Sequence, residues 1–359
     1  MIIDLVKIIL PAVLAFCTGV VLTPFLTHYL YRYKAWKKKP GKNGLDGKEA
    51  KIFNELHKDK EVGTPRMGGL VIWLSSAIVI ISLWILANIF PENETIVKLD
   101  FLSRDQTWIP FAALIFGAII GLFDDILEVT GKGKYMAGGL SFKKRISAVM
   151  LLGLGCGIWF YYQLEVTTLG MPNIIGDIEI GWLIIPLFVL VMASVYSSGV
   201  IDGIDGLAGG VFATIFASYS IIAFYLDQIN LAAFCAMITG AVLAFLWFNI
   251  PPARFYMSET GTMALTVVTA IVAFMTDSLG GGYGVIVLPI IALPLVITSI
   301  SVIIQISFKK FTGKKIFRVA PIHHHFEALG WPPYKVVMRF WVISVVFAMI
   351  GIILGVIGI

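Results

Sequence analysis

Ten stretches of this chain are so long and so apolar that a soluble core could not take them up: 8–30, 68–90, 108–123, 145–163, 181–199, 206–226, 230–249, 261–279, 283–307 and 336–358. Crossing the hydrocarbon layer of a bilayer takes roughly 20 apolar residues as a helix. A backbone in lipid must satisfy its own hydrogen bonds, which a helix does within one segment. The chain therefore reads as an all-α polytopic integral membrane protein of about ten transmembrane helices. Composition agrees: of 359 residues, 58% are hydrophobic and only 14% charged, outside the range of soluble domains.

The first stretch begins Met1-Ile2-Ile3-Asp4, without a basic leader, and no small-residue cleavage site follows it, so it is expected to be a retained helix rather than a signal peptide. Cys17, Cys156 and Cys235 fall inside the stretches without metal-like spacing and are expected to be small buried thiols. No internal repeat and no second soluble domain is legible, so residues 1–359 are read as a single membrane domain. The longest polar insert, 32–67, is too short and too rich in Lys and Gly to bury a core and is expected to drape over one membrane face.

Lysines and arginines sort by loop. They are dense from Arg32 to Arg66, between the first two stretches; the loop after the third brings Lys132, Lys134, Lys143, Lys144 and Arg145, and the loop after the ninth brings Lys309, Lys310, Lys314, Lys315 and Arg318. The alternate loops hold only Lys98 and Arg104 in one and none in the others. The positive-inside rule makes the basic loops cytoplasmic and puts both termini outside. Every residue with chemistry then gathers at the cytoplasmic face, whereas a transporter would hold its ionisable groups near the midplane.

Asp124 and Asp125 are adjacent at the end of the third stretch, where a helix terminus already carries partial negative charge. Adjacent positions cannot share a helix face, so the pair suits a helix fraying into a polar cleft, with a divalent metal to relieve the repulsion. Magnesium takes one or two protein carboxylates plus substrate phosphates. The bland alternative is a solvated pair neutralised by Lys132 or Lys134.

Asp202 and Asp205 lie three residues apart in Asp202-Gly203-Ile204-Asp205-Gly206, which on a helical turn would face them the same way; the glycines would let a ligand approach the backbone, or one acid could simply cap the next helix. His323, His324 and His325 are consecutive, which suits a polyanion better than zinc. Thr64-Pro65-Arg66-Met67-Gly68-Gly69 opens the second stretch with a cation and two glycines that could bring backbone to an anion. Pro289 and Pro294 should kink or break the ninth stretch. Asn93-Glu94-Thr95 matches a glycosylation triplet by pattern only.

In this order the segments Thr64–Gly69, Gly121-Leu122-Phe123-Asp124-Asp125, Asp202–Ala208, Phe245-Leu246-Trp247-Phe248-Asn249 and Ala320-Pro321-Ile322-His323-His324-His325-Phe326-Glu327 resemble the polyprenyl-phosphate N-acetylhexosamine-1-phosphate transferases, nearly end to end. The histidine segment resembles the branch whose donor is UDP-MurNAc-pentapeptide. The resemblance implies a Mg2+-dependent enzyme of the bacterial inner membrane, in a family that often forms homodimers. Such an enzyme moves phospho-MurNAc-pentapeptide onto undecaprenyl phosphate, giving UMP and lipid I for peptidoglycan. It implies catalytic roles for Asp124, Asp125, Glu259 and His323, with the metal on Asp125 and Glu259. Substrate contacts would come from Thr64, Arg66, Arg145, Asp202, Asp205, Asn249, Tyr256, His324 and His325. Asp124 would orient or deprotonate the acceptor phosphate, and direct attack is expected over a covalent enzyme intermediate.

The chain departs from the family pattern at Glu259, where an Asp is usual, and at Tyr196-Ser197-Ser198-Gly199, where asparagines are usual. It departs again at Glu128 and Glu61, where lysines are usual. These departures keep two alternatives open: a related UDP-N-acetylhexosamine transferase and a non-catalytic homologue.

Overall fold

A computed structural model describes residues 2–38, 62–103, 105–131, 139–171, 176–278 and 281–357. Among them the helices are α1 (Ile2–Arg32), α2 (Leu70–Ile89), the short α3 (Glu94–Leu99), α4 (Trp108–Thr130), α5 (Phe142–Gln163), α6 (Ile184–Ser197), α7 (Leu207–Tyr225), α8 (Ile229–Asn249), α9 (Ser258–Ser278), α10 (Gly284–Ile291), α11 (Leu293–Thr312), α12 (Ile322–Ala328) and α13 (Pro333–Ile357). Ten segments are long and apolar enough to cross a membrane, α6 being counted with its flanking 3-10 turns as Gly181–Ile201. The protein is an all-α multi-pass membrane protein, as its apolar lengths required. The strands β1 (Thr168–Leu169) and β2 (Ile178–Glu179) form one antiparallel pair, Thr168 opposite Glu179.

Helix α9 is the axis of the bundle: 94% of its apolar window is buried, against 17% for α1. It nonetheless carries Thr262, Thr266, Thr269 and Thr276 inside. Each donates its hydroxyl to the carbonyl four residues back, at 2.6–3.0 Å, so none of these four hydroxyls is left without an acceptor. Small residues then let neighbours close in. A Cβ on Gly121 of α4 would stand 2.1 Å from the Glu259 carbonyl oxygen, and one on Gly117, a turn earlier, 3.0 Å from Ala264 Cα. This glycine stripe fixes α4 against α9 at the depth where Asp124 and Asp125 meet Glu259 and Thr260. Between α1 and α8, Gly240 is packed on the Ala12 carbonyl, where a Cβ would come to 2.0 Å.

Two expectations change, and a third, the break of the ninth stretch, is borne out. Helix α4 runs on to Thr130 and ends at Gly131, left-handed at φ +66°, so Asp124 and Asp125 lie within its last turns rather than at a frayed end. The ninth stretch breaks outright at Ala292, between α10, which contains Pro289, and α11, which starts one residue before Pro294. Cys156 and Cys235 are buried as expected, but Cys17 is exposed on α1, where an apolar thiol can face lipid. Of the polar insert, 39–61 and with them Glu61 lie outside the described residues, as do Arg104, Lys132 and Lys134. Asn93 caps α3, accepting the backbone N–H groups of Thr95 and Ile96.

Candidate active site

Asp125 is fully buried, and its Oδ2 accepts both the backbone N–H of Thr260 at 2.9 Å and the Thr260 hydroxyl at 2.6 Å. Its Oδ1 is buried without a hydrogen bond, with Arg66 Nε 3.6 Å away. Arg66 is held elsewhere: its Nη2 lies 3.0 Å from Glu128 Oε2, and Lys37 Nζ lies 3.4 Å from Glu128 Oε1. Burial alone would make the Arg66 guanidinium easier to deprotonate. The facing carboxylates of Glu128 and Asp125, with Asp202 and Glu259 farther off, outweigh burial and hold its pKa above the ordinary arginine range. It is a permanent cation at the floor of the cluster.

Asp124 points the other way, as adjacent positions on a helix must. It accepts from the Leu140 backbone N–H and lies 3.3 Å from Arg145 Nη1. The same Arg145 nitrogen bonds Glu259 Oε1, and the Tyr196 hydroxyl donates to Glu259 Oε2 at 3.4 Å. A Cβ on Gly139 would stand 2.7 Å from Asp124 Oδ1, so this loop glycine makes room for the carboxylate. The paired acids are thus met by Arg66 and Arg145. The bland alternative, neutralisation by Lys132 or Lys134, falls outside the described residues.

The Asp202–Gly206 segment is a turn between a 3-10 stretch (Ser198–Ile201) and α7, not the helical turn expected from the spacing. Neither acid caps α7, whose N-cap is Gly206 at φ +82°. Asp202 instead accepts the backbone N–H of Ser258, the first residue of α9, at 2.9 Å. The turn is pinned from both sides. Asn249 takes the Gly206 N–H on its Oδ1 at 2.8 Å and donates from Nδ2 to the Phe255 carbonyl at 2.9 Å, while Trp341 Nε1 donates to the Gly206 carbonyl at 3.2 Å. Asp205 sits half-buried in the same turn.

The glycines of Thr64–Gly69 serve a different purpose from the one expected. The Pro65 carbonyl accepts from Tyr256 N–H at 2.9 Å, Gly68 N–H donates to the Tyr256 carbonyl at 2.8 Å, and Gly69 N–H donates to the Met257 carbonyl at 3.2 Å. A Cβ on Gly69 would stand 2.2 Å from Gly261 N. The two glycines admit the backbone of 256–261, not an anion, and so tie Arg66 to the start of α9. Thr64 is half-buried just before them. Likewise Gly203 admits side chains: a Cβ there would meet His323 Nε2 and His324 Nε2, each at 2.6 Å.

The three histidines occupy one turn of α12 in three environments. His323 is fully buried, its ring centroid 4.3 Å from that of His324 and 6.4 Å from that of Phe340. His324, also buried, has Nδ1 2.6 Å from Glu327 Oε2. His325 is half-buried and accepts the Arg318 backbone N–H on Nδ1 at 3.1 Å. Its burial, and then the Arg318 charge, push its pKa below the usual imidazole value.

Sequence reasoning therefore named residues that do converge: Asp124, Asp125, Arg66, Arg145 and Glu259 in one cluster, and Asp202, Asn249, His323 and His324 around the adjoining turn. It missed Thr260, Tyr196, Trp341 and Lys37 as contacts. Thr260 follows Glu259 directly and could have been suspected; Lys37 offers no local signal. Among the described residues no group of three or more His, Cys, Asp and Glu side chains could hold a metal ion by itself. The unbonded Oδ1 of Asp125 and the partly exposed carboxylate of Glu259 are nonetheless hard oxygen donors of the kind and number magnesium uses beside substrate phosphates.

Residues 107–277 match the model of glycosyl transferase family 4. Over 347 residues the chain is 32% identical to a phospho-N-acetylmuramoyl-pentapeptide-transferase of Anoxybacillus flavithermus, covering 96% of this chain and 97% of the relative. Proteins of the same name from Geobacillus kaustophilus and Clostridium perfringens are each 33% identical, again over 96% of this chain and over 97% and 98% of theirs.

Proposed function

The chain belongs to glycosyl transferase family 4, and we propose that it is a phospho-N-acetylmuramoyl-pentapeptide transferase using a UDP-linked donor and undecaprenyl phosphate as acceptor. The observation that carries the mechanism is the convergence of Asp124, Asp125 and Glu259 with Arg66 and Arg145 at one end of the bundle. The likeness extends over nearly the whole chain, which supports reading 1–359 as one transferase domain. The basic loops at this end support a site facing the cytoplasm from the bacterial inner membrane.

In the reaction an oxygen of the lipid phosphate attacks the donor phosphorus that bears the sugar. The bond from that phosphorus to the bridging oxygen breaks, and UMP leaves with the electron pair. The acceptor phosphate is already largely ionised at neutral pH, so Asp124 has mainly to orient it and take any remaining proton. Arg66 and Arg145 oppose the charge gathered at the pyrophosphate. Asp125 and Glu259 would hold Mg2+, which when bound supplies Lewis-acid charge neutralisation at the pyrophosphate. Thr64, Asp202, Asp205, Asn249, Tyr256 and the histidines line the polar surroundings in which donor and acceptor are positioned.

The test is product identity. Purified protein with undecaprenyl phosphate is given UDP-MurNAc-pentapeptide or UDP-N-acetylglucosamine, and UMP and the lipid product are measured by mass spectrometry. Lipid-linked MurNAc-pentapeptide from the first donor alone is expected. Preferential turnover of the second would make the chain a transferase of another donor.

A further inference from the structure

Past Gln305 no residue of α11 is buried, so its last two turns stand clear of the bundle. The apolar side chains on its outer side, Ile300, Ile303, Ile304, Phe308 and Phe311, are exposed and recur three or four residues apart, which makes one stripe facing lipid. Phe311, at the end of that stripe, is 84% exposed. Lys309 and Lys310 share its turn of the helix, and Lys314, Lys315 and Arg318 follow in the loop. No acid lies in the chain between Asp277 and Glu327, and Glu327 itself is buried against His324.

The loop that carries the later cations is fastened to the helix. The chain turns at Gly313, left-handed at φ +72°, whose N–H donates to the Lys309 carbonyl at 2.9 Å. The buried Gln305 then accepts the N–H groups of Ile316 and Phe317 on Oε1 at 3.2 and 3.0 Å, and donates from Nε2 to the Phe317 carbonyl at 2.9 Å. These bonds fold 313–317 back along the last turns of α11, so the lysines of the loop and those of the helix make one platform. Cations at a helix C-terminus need no ligand to account for them, which covers Lys309 and Lys310. Lys314 and Lys315 lie past that terminus and are not covered. Because the lipid-facing stripe ends at the same level, the platform stands at the membrane boundary, where lysine stems reach the phosphates.

We propose that the end of α11 and the loop folded onto it form a docking surface for anionic phospholipid headgroups of the leaflet on the side of Asp124 and Asp125, with Phe311 in the acyl boundary and Lys310, Lys314 and Lys315 on the phosphates. Clusters of four or more cations directly beyond a crossing helix attract acidic lipid, and an aromatic side chain among them adds apolar burial. An acidic protein or a nucleic acid would answer the charge but not the stripe that leads to Phe311. The same helix packs against the Ser198–Ile201 stretch that enters the Asp202 turn, so bound lipid braces a wall of the site. The inference needs the membrane fold alone and not the assignment of a donor.

The test titrates the full chain in detergent with phosphatidylglycerol or phosphatidylcholine and counts retained lipids by native mass spectrometry, with thermal unfolding as the check on folding. The parent should prefer phosphatidylglycerol, and high salt should weaken that preference. Replacing Lys310, Lys314 and Lys315 together by Gln should lower the preference by about tenfold or more without moving the unfolding midpoint, because all three side chains are exposed. The same three changed to Arg should keep it. Lys143→Gln with Lys144→Gln, which removes exposed cations from another loop at this end, should keep it as well. Gln305→Leu leaves every cation in place but releases the loop, and should lower the preference by about threefold. A parent with no preference, a Gln triple variant equal to the parent, or a Lys143/Lys144 variant that loses as much as the triple would overturn the proposal. If Gln305→Leu does not fold, the triple variant and its Lys143/Lys144 counterpart still decide it.

Discussion

Asp125 on α4 and Thr260 on α9, 135 positions apart, are joined twice: one carboxylate oxygen accepts both the backbone N–H and the hydroxyl of Thr260. The double contact fixes the buried acid while its second oxygen stays without a hydrogen bond. Thr260→Val keeps the side-chain shape and removes the hydroxyl donor. A hydrogen bond to a charged group contributes about 2 kcal/mol, so the variant should unfold at lower temperature and release UMP roughly tenfold more slowly. Thermal unfolding in detergent and the UMP assay read the two effects separately.

Trp341 on α13 closes over the Asp202–Gly206 turn, and a Cβ on Gly210 would stand 2.1 Å from its Nε1. Gly210→Ala must therefore push the indole away. It should cost about 1–3 kcal/mol of stability and loosen the turn. Adding Trp341→Leu should return part of the stability, though not the hydrogen bond to the Gly206 carbonyl. Comparing unfolding midpoints of the two single variants and the double checks this.

Lys37, Glu128 and Arg66 form a largely buried ion-pair chain. Glu128→Lys would bring three cations together and should cost about 3 kcal/mol or more. If the chain is held by charge, combining Glu128→Lys with Lys37→Glu should recover a substantial share of that loss, measured as the unfolding midpoint at low salt. No recovery would mean that shape, rather than charge, fixes these positions.

His325 has a pKa below the ordinary imidazole value in the folded protein, from burial and then from Arg318. The folded state therefore binds fewer protons than the unfolded one in that range. Its contribution to stability is complete above the ordinary imidazole pKa and is lost as pH falls through the lowered one. His325→Asn should flatten this part of the pH dependence. The comparison is of unfolding midpoints of parent and variant across mildly acid pH.

The ten crossings were legible because apolar length leaves a membrane chain few choices. Asp124, Asp125 and the histidines were legible because such residues are conspicuous beside apolar stretches. The end of α4 was not. Asp124, Asp125 and Glu128 look like the polar margin of a helix, yet the helix continues through them, because Arg145, Arg66, Lys37 and Thr260 arrive from other segments to compensate their charge. Nor was the purpose of Gly68, Gly69 and Gly203 legible. Local pattern says only that something comes close; here it is the backbone of α9's entry and two imidazole rings.

The most direct measurement is UMP release from UDP-MurNAc-pentapeptide by the full chain with undecaprenyl phosphate, titrated with Mg2+, beside Asp125→Asn. Metal-dependent release is expected, falling at least about 10³-fold in a variant that keeps the parent's unfolding midpoint. It would also show that Glu259 suffices where relatives of this type usually carry Asp. Metal-independent release, an active Asp125→Asn, or a folded parent that binds nucleotide yet releases no UMP with any divalent metal would contradict the assignment of catalysis to this carboxylate cluster.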